Sequence, residues 1–201
     1  MRISFDAAAA EICEVGRRLL AAGLVAGNDG NISVRISDKE VLLTPAGISK
    51  GELTPADLVL VDMRGAVLEG TRRPTSEMAL HLAVYQAAPG VGAVIHAHAP
   101  YATAFALAGR TLIGSRLAEV TECLGEIPLV RFAPPGTAEL ASGAAEKAAA
   151  HNGVLLEAHG PVVWGDTLRR ALYRMEELEL ACKITAIAEG LTSSNAFTAG
   201  S

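Results

Sequence analysis

The sequence predicts one α/β domain with a largely antiparallel or mixed sheet. Three observations carry that prediction. Short apolar runs of strand character (NISVRIS, EVLLT, DLVLVDM) follow one another closely, and their links are too short for the crossover that a parallel pair requires. Other stretches show the 3.6-residue apolar period of amphipathic helices. At 201 residues the chain can bury a sizeable core without staples. No repeat, low-complexity tract or linker divides it, so residues 1–201 read as a single domain.

The elements follow in order. Ile12, Val15, Leu19 and Leu20 lie at helical spacing and predict a helix over residues 6–22. Gly23 and the turn-rich GLVAGNDGN stop it. In NISVRIS, Ile32, Val34 and Ile36 alternate with polar neighbours, the pattern of a half-buried strand. EVLLT and DLVLVDM are further strands around the turn-rich TPAGISKGELTPA, and the basic RGAVLEGTRR reads as a solvated loop. PTSEMALHLAVYQAA starts a helix with Pro74, offers Thr75 or Ser76 as N-cap and puts Glu77 in the first turn. Next come a strand at VGAVIHAH, a helix over 100–108, a short strand at IPLVRF and a helix starting at Thr137. GVLLEAHGPVVWG reads as two strands hinged at Gly160 and Pro161, and TLRRALYRMEELELACKITAIAEG as a long final helix. The polar tail over 190–201 reads as flexible or docked on a neighbour.

Composition excludes several classes. Half the residues are apolar, but the apolar runs are too short to span a bilayer. The first residues carry acids where a signal peptide needs a continuous apolar core, so a cytoplasmic protein is expected. A net charge of −5 without a Lys/Arg cluster argues against nucleic acid as partner. Cys13, Cys123 and Cys182 are odd in number and lack C-x-x-C spacing, which argues against a disulfide framework or a cysteine zinc knuckle. Cys13 and Cys182 read as small buried apolar residues in helices.

The chemistry gathers in VGAVIHAHAP. Residues two apart on a strand share a face, roughly 6–7 Å apart along the backbone, so His96 and His98 can tilt onto one metal ion. LLEAHG offers a third imidazole in His159, and the PTSE helix start offers the Glu77 carboxylate. Three imidazoles and a carboxylate suit zinc or a similar divalent ion. On spacing alone, metal binding and simple packing both stay open. A buried, unpaired imidazole would be costly, however, and the second histidine-bearing strand end adds weight. His81, one turn after Glu77, is a rival ligand or a packing residue. His151, at a helix C-terminus, suits the helix dipole and has no assigned chemistry.

Three segments can bind an anion through backbone N–H groups that lack partners: GNDGNIS (27–33), TPAGIS (44–49) and PTSE (74–77). Caps and turns use the same residues for structural reasons. Together with a metal constellation, they fit a small anionic substrate gripped through phosphate at one end and metal at the other.

GNISVR, LTPAGIS, PTSE, HAH and LLEAHG, in this order and spacing, resemble the class II aldolase/adducin family, in particular its bacterial L-fuculose-1-phosphate aldolase-like branch. The resemblance covers about residues 7–190. It implies an α/β/α domain around a mostly antiparallel sheet, in a homotetramer with active sites at subunit interfaces. It implies Zn2+ (or another divalent ion such as Mn2+ or Co2+) on His96, His98 and His159, with Glu77 as the catalytic acid/base, able to sit on the metal when substrate is absent. It implies a phosphate site of Asn31, Gly47, Thr75 and Ser76. A family threonine is replaced here by Ala46, for which Thr44 is the candidate substitute.

The activity implied is that of a lyase. A ketose 1-phosphate would be cleaved reversibly to dihydroxyacetone phosphate and an aldehyde, through an enediolate that zinc stabilises. Two tyrosines of the aldolase are missing: Leu117 falls near one position, and the tail has none. Glu119 or Glu122 is then a candidate second acid, or a polar residue on a short helix. A dehydratase, decarboxylase or 4-epimerase acting on a sugar phosphate is the alternative reaction, the epimerase being disfavoured by a glutamate at 77. A non-enzymatic adducin-like module is disfavoured because the metal ligands are all present.

Overall fold

The computed structural model describes residues 4–112 and 117–195. Eight strands form one mixed sheet: β1 (Asn31–Arg35), β2 (Glu40–Leu43), β3 (Val59–Asp62), β4 (Val67–Glu69), β5 (Ala93–His96), β6 (Leu129–Val130), β7 (Gly153–Leu156) and β8 (Gly160–Gly165). Their spatial order is β4-β3-β2-β1-β5-β8-β7-β6. Every neighbouring pair is antiparallel except β6 with β7.

The helices are α1 (Phe5–Ala21), α2 (Met78–Ala87), α3 (Pro100–Leu107), α4 (Ala118–Cys123), α5 (Ala138–Ala148) and α6 (Leu168–Asn195). Strand alternation divides the core in two. Ile32, Val34, Leu42 and Ile95 pack with Ile12 and Leu19 of α1, Phe105 of α3 and Met175 of α6. Val41, Leu43, Val94, Leu156 and Trp164 pack with Val84 of α2 and Leu140 of α5 on the other face. The result is the three-layer α/β/α arrangement around a mostly antiparallel sheet. Cys13 and Cys182 lie buried in helices, and burial pushes the Cys182 thiol up to about 12, so it stays an inert thiol. No described helix is long and apolar enough to cross a membrane.

Two helices start on a side-chain cap. Ser4 and Thr137 accept from Ala7 N and Leu140 N at the starts of α1 and α5. Four expectations are corrected. RGAVLEGTRR is not all loop, because Val67–Glu69 pairs at the sheet edge; its three residues are exposed, which hides the strand pattern. The N-cap of α2 is Glu77 rather than Thr75 or Ser76, because Thr75 Oγ1 turns to Glu77 N across the preceding turn. The bend between β7 and β8 falls at residues 157–159 instead of Gly160 and Pro161, with Ala158 in the left-handed region at φ 55°. Helix α6 continues to Asn195, so 191–195 are helical; residues 196–201 of the tail lie outside the described residues.

Candidate metal centre

One end of the sheet collects the chemistry. The start of β1 (Asn31) pairs with the end of β5 (His96), and the β7–β8 turn carries His159 beside it. Helix α2 brings Glu77 over the same end. His98 lies just past the end of β5, yet its Nε2 is 3.2 Å from His96 Nε2. Ring centroids are 5.0 Å apart for His96 and His98, 4.6 Å for His96 and His159, and 5.3 Å for His98 and His159. One ligand nitrogen from each lies within 4.8 Å of the others, the only such group of three among the described residues.

The surroundings set which nitrogen is free. His96 Nδ1–H donates to the Pro161 carbonyl at 2.9 Å, leaving Nε2 bare toward the cluster. Asp29 Oδ2 stands 3.3 Å from His98 Nδ1, an outer contact of the kind that orients metal-binding imidazoles. The β7–β8 turn fixes His159. Gly160 has φ 149°, and a Cβ there would lie 2.7 Å from the Ala97 carbonyl oxygen and 3.4 Å from the His98 ring, so the turn closes only with glycine. Burial pushes His96 down to about 4 and lowers His159 as well, so both are neutral near pH 7, the state a metal needs.

Glu77 is buried, with Oε2 3.3 Å from His96 Nε2 and Oε1 3.5 Å from His159 Nε2. Burial raises its carboxyl, but His96, the Asn31 amide and His159 outweigh that and hold it below the usual carboxylate value. Glu77 Oε1 and His159 Nδ1 are buried without a hydrogen-bond partner. A buried polar atom without a partner is costly. Three imidazoles with a ligand nitrogen each within 4.8 Å of the others, beside a buried carboxylate with one oxygen unpartnered, fit a divalent cation.

All three anion-binding segments line one cavity of about 250 Å3 with the histidines and Glu77. That volume suits a small metabolite better than a drug-sized ligand. Thr75 N–H donates to the Thr44 carbonyl and Ala46 N–H to that of Arg73, so TPAGIS and PTSE run side by side. Gly47 sits at φ 78° with open space where a Cβ would stand. The 27–33 loop is tied in by Lys50, a buried lysine that sequence reading missed. Its ammonium donates to the carbonyls of Asn28 and Ile48, and burial lowers it to about 8. Thr44 cannot replace the hydroxyl absent at Ala46: it is fully buried, accepts the Ile32 N–H and does not line the cavity.

The remaining candidates sort as follows. Asn31, Gly47, Thr75 and Ser76 all line the cavity. His81 does not join the three histidines; it is fully buried between Ser33 and Asn31, and burial pushes it down to about 3. Glu122 is exposed on α4 away from this cavity, and the Glu119 side chain lies outside the described residues. His151 Nδ1 is 3.1 Å from the Glu126 carbonyl, and the His151 carbonyl accepts from the Trp164 indole, structural roles only. A larger groove of about 510 Å3 lies at the opposite end of the sheet, and it holds none of the three clustered histidines.

The chain is similar in sequence and fold to known proteins. A 3-oxo-tetronate 4-phosphate decarboxylase of Pectobacterium atrosepticum is 34% identical over 184 residues, covering 90% of this chain and 84% of that protein. A 5-deoxy-D-ribulose 1-phosphate aldolase of Bacillus thuringiensis serovar kurstaki is 33% identical over 179 residues, covering 87% and 82%. A solved L-fuculose 1-phosphate aldolase superposes with a TM-score of 0.87 at 33% identity, covering 94% of this chain and 89% of that one. Residues 10–186 match the family model described as class II aldolase and adducin N-terminal domain, and the chain belongs to that family of enzymes.

Proposed function

We propose that this chain is a divalent-metal-dependent lyase that cleaves a ketose 1-phosphate reversibly into dihydroxyacetone phosphate and an aldehyde, through an enediolate. The observation that carries this reading is Glu77, a buried carboxylate within 3.5 Å of two of the three clustered histidines and with one oxygen unpartnered. A divalent ion on His96, His98 and His159, zinc by preference and Mn2+ or Co2+ otherwise, supplies Lewis-acid polarisation of the substrate carbonyl and its neighbouring hydroxyl.

The chain's own residues do the rest. Glu77 Oε1 returns a proton to the hydroxymethyl carbon of the departing dihydroxyacetone phosphate and removes it in the reverse direction. Thr75 and Ser76 hydroxyls, the open loop at Gly47 and the Asn31 amide hold the phosphate. A second group must take the hydroxyl proton of the departing aldehyde, and Glu119 or Glu122 of a neighbouring subunit is proposed for it. That assignment goes with a homotetramer whose active sites lie at subunit interfaces.

Decarboxylation is the second reading, favoured by the similarity to the 3-oxo-tetronate 4-phosphate decarboxylase. Loss of carbon dioxide beside a ketone leaves the same enediolate of dihydroxyacetone phosphate, and Glu77 again protonates carbon. No aldehyde proton is handled, so the missing tyrosines cost this reaction nothing.

The test offers L-fuculose 1-phosphate and related ketose 1-phosphates, and separately 3-oxo-tetronate 4-phosphate, to the metal-loaded protein. Dihydroxyacetone phosphate and aldehyde released from a ketose 1-phosphate support the aldolase. Carbon dioxide from the oxo-acid without aldol turnover replaces that reading with the decarboxylase.

A further inference from the structure

We propose that His81 is a positioning residue: with Tyr85, Ser33 and Asn31 it forms a one-way hydrogen-bond chain that pins Glu77 Oε2 and leaves Oε1 to carry the proton. The proposal rests on Glu77 as the proton-transferring group.

The geometry is a polar zipper in an apolar layer. Glu77, His81 and Tyr85 are spaced i, i+4, i+8 and stack on one face of α2. Asn31 and Ser33 are spaced i, i+2 on β1 and face them. All five are buried. Tyr85 Oη is 2.8 Å from Ser33 Oγ, Ser33 Oγ 2.6 Å from His81 Nδ1, His81 Nε2 2.5 Å from Asn31 Oδ1, and Asn31 Nδ2 3.0 Å from Glu77 Oε2.

Chemistry fixes the direction of every link. A carboxylate only accepts, so the Asn31 amide nitrogen faces Glu77 and its oxygen faces His81. That oxygen also only accepts, so His81 carries its proton on Nε2. Nδ1 of the neutral ring then accepts from the Ser33 hydroxyl, which in turn accepts from Tyr85. Every N–H or O–H points toward Glu77, so the bonds reinforce one another and end with a donor on Oε2. Oε1 receives nothing from the chain and is the buried oxygen without a partner. The two carboxylate oxygens are thereby distinguished: one is anchored, the other is free to take and give a proton.

The test uses zinc-loaded protein and dihydroxyacetone phosphate in D2O, following exchange at the hydroxymethyl carbon by proton NMR; no aldehyde is needed. His81→Leu keeps zinc content and half-saturation near wild type and slows exchange about 10- to 100-fold, the scale of a misplaced reacting group. His81→Gln, whose amide can still donate to Asn31, recovers most of that loss. Ser33→Ala removes one oxygen and slows exchange about 2- to 10-fold, the worth of one hydrogen bond. Nitrogen-15 NMR of the metal-free protein near neutral pH shows His81 as the Nε2–H tautomer.

Wild-type exchange rates in both His81→Leu and Ser33→Ala overturn the proposal, as does an Nδ1–H tautomer. Losses that merely track zinc content or half-saturation overturn it too. If His81→Leu does not fold, Ser33→Ala and the tautomer decide by the same criteria. A wild-type protein that binds zinc and dihydroxyacetone phosphate without exchange removes Glu77 from proton transfer and this proposal with it, an outcome distinct from the others.

Discussion

The Nε2 atoms of His96 and His98 stand 3.2 Å apart, with Pro161 accepting from the far nitrogen of His96 and Asp29 facing that of His98. Two imidazole nitrogens that close can share one proton or, once both are unprotonated, one cation. The outer contacts therefore prepare the pair for a metal before one arrives.

Asp29 tests that preparation. Asp29→Ala removes the carboxylate 3.3 Å from His98 Nδ1, and zinc affinity falls about 10- to 100-fold, the usual cost of an outer-shell partner. Competition against a chromophoric chelator measures it. Unchanged affinity would mean that Asp29 is only a loop residue.

Glu77→Gln separates binding from chemistry. The three imidazoles remain, so metal content stays near wild type, while turnover drops by about 10²–10⁴-fold because the proton-transferring oxygen is gone. Normal turnover in this variant would remove Glu77 from its role.

Stability of the metal-free protein depends on pH through its buried imidazoles. His81 and His96 are pushed down to about 3 and about 4 by burial, against 6.5 when unfolded. The unfolded chain binds more protons between those values, so stability is fully present above pH 6.5 and is lost as pH falls through the folded values. From pH 7 to pH 5 the loss from His81 alone is about 2 kcal/mol. The lowered Glu77 carboxyl acts in the same direction at still lower pH. Urea unfolding at the two pH values reads this directly, and equal or greater stability at pH 5 would contradict it.

Gly160→Ala tests the turn behind His159. The new Cβ would lie 2.7 Å from the Ala97 oxygen at a φ of 149°. We expect about 1–3 kcal/mol of destabilisation, with zinc binding weakened because His159 shifts. Thermal unfolding and metal titration both report it, and wild-type values in both would show that the turn accepts a side chain.

Much of this was legible in the sequence because the signals were local. The H-x-H pair, the helix start at Thr137 and the alternation of Ile32 and Val34 are each contained within a few residues. What escaped depended on distance along the chain. The partners of His81 are Asn31 and Ser33, 50 and 48 residues away, and no spacing rule joins them. Lys50 reads as a surface lysine until two loop carbonyls close over its ammonium. Val67–Glu69 hides because an exposed edge strand needs no apolar alternation. The turn at Ala158 and His159 was misplaced because glycine and proline mark a bend strongly, whereas a left-handed alanine leaves no mark in the sequence.

Calorimetric titration of the metal-stripped protein with Zn2+ tests the central claim most directly. The account predicts one ion per chain for wild type and for Glu77→Gln, and loss of that binding in His96→Ala with the fold intact. No saturable binding by wild type, or unchanged binding by folded His96→Ala, would contradict it.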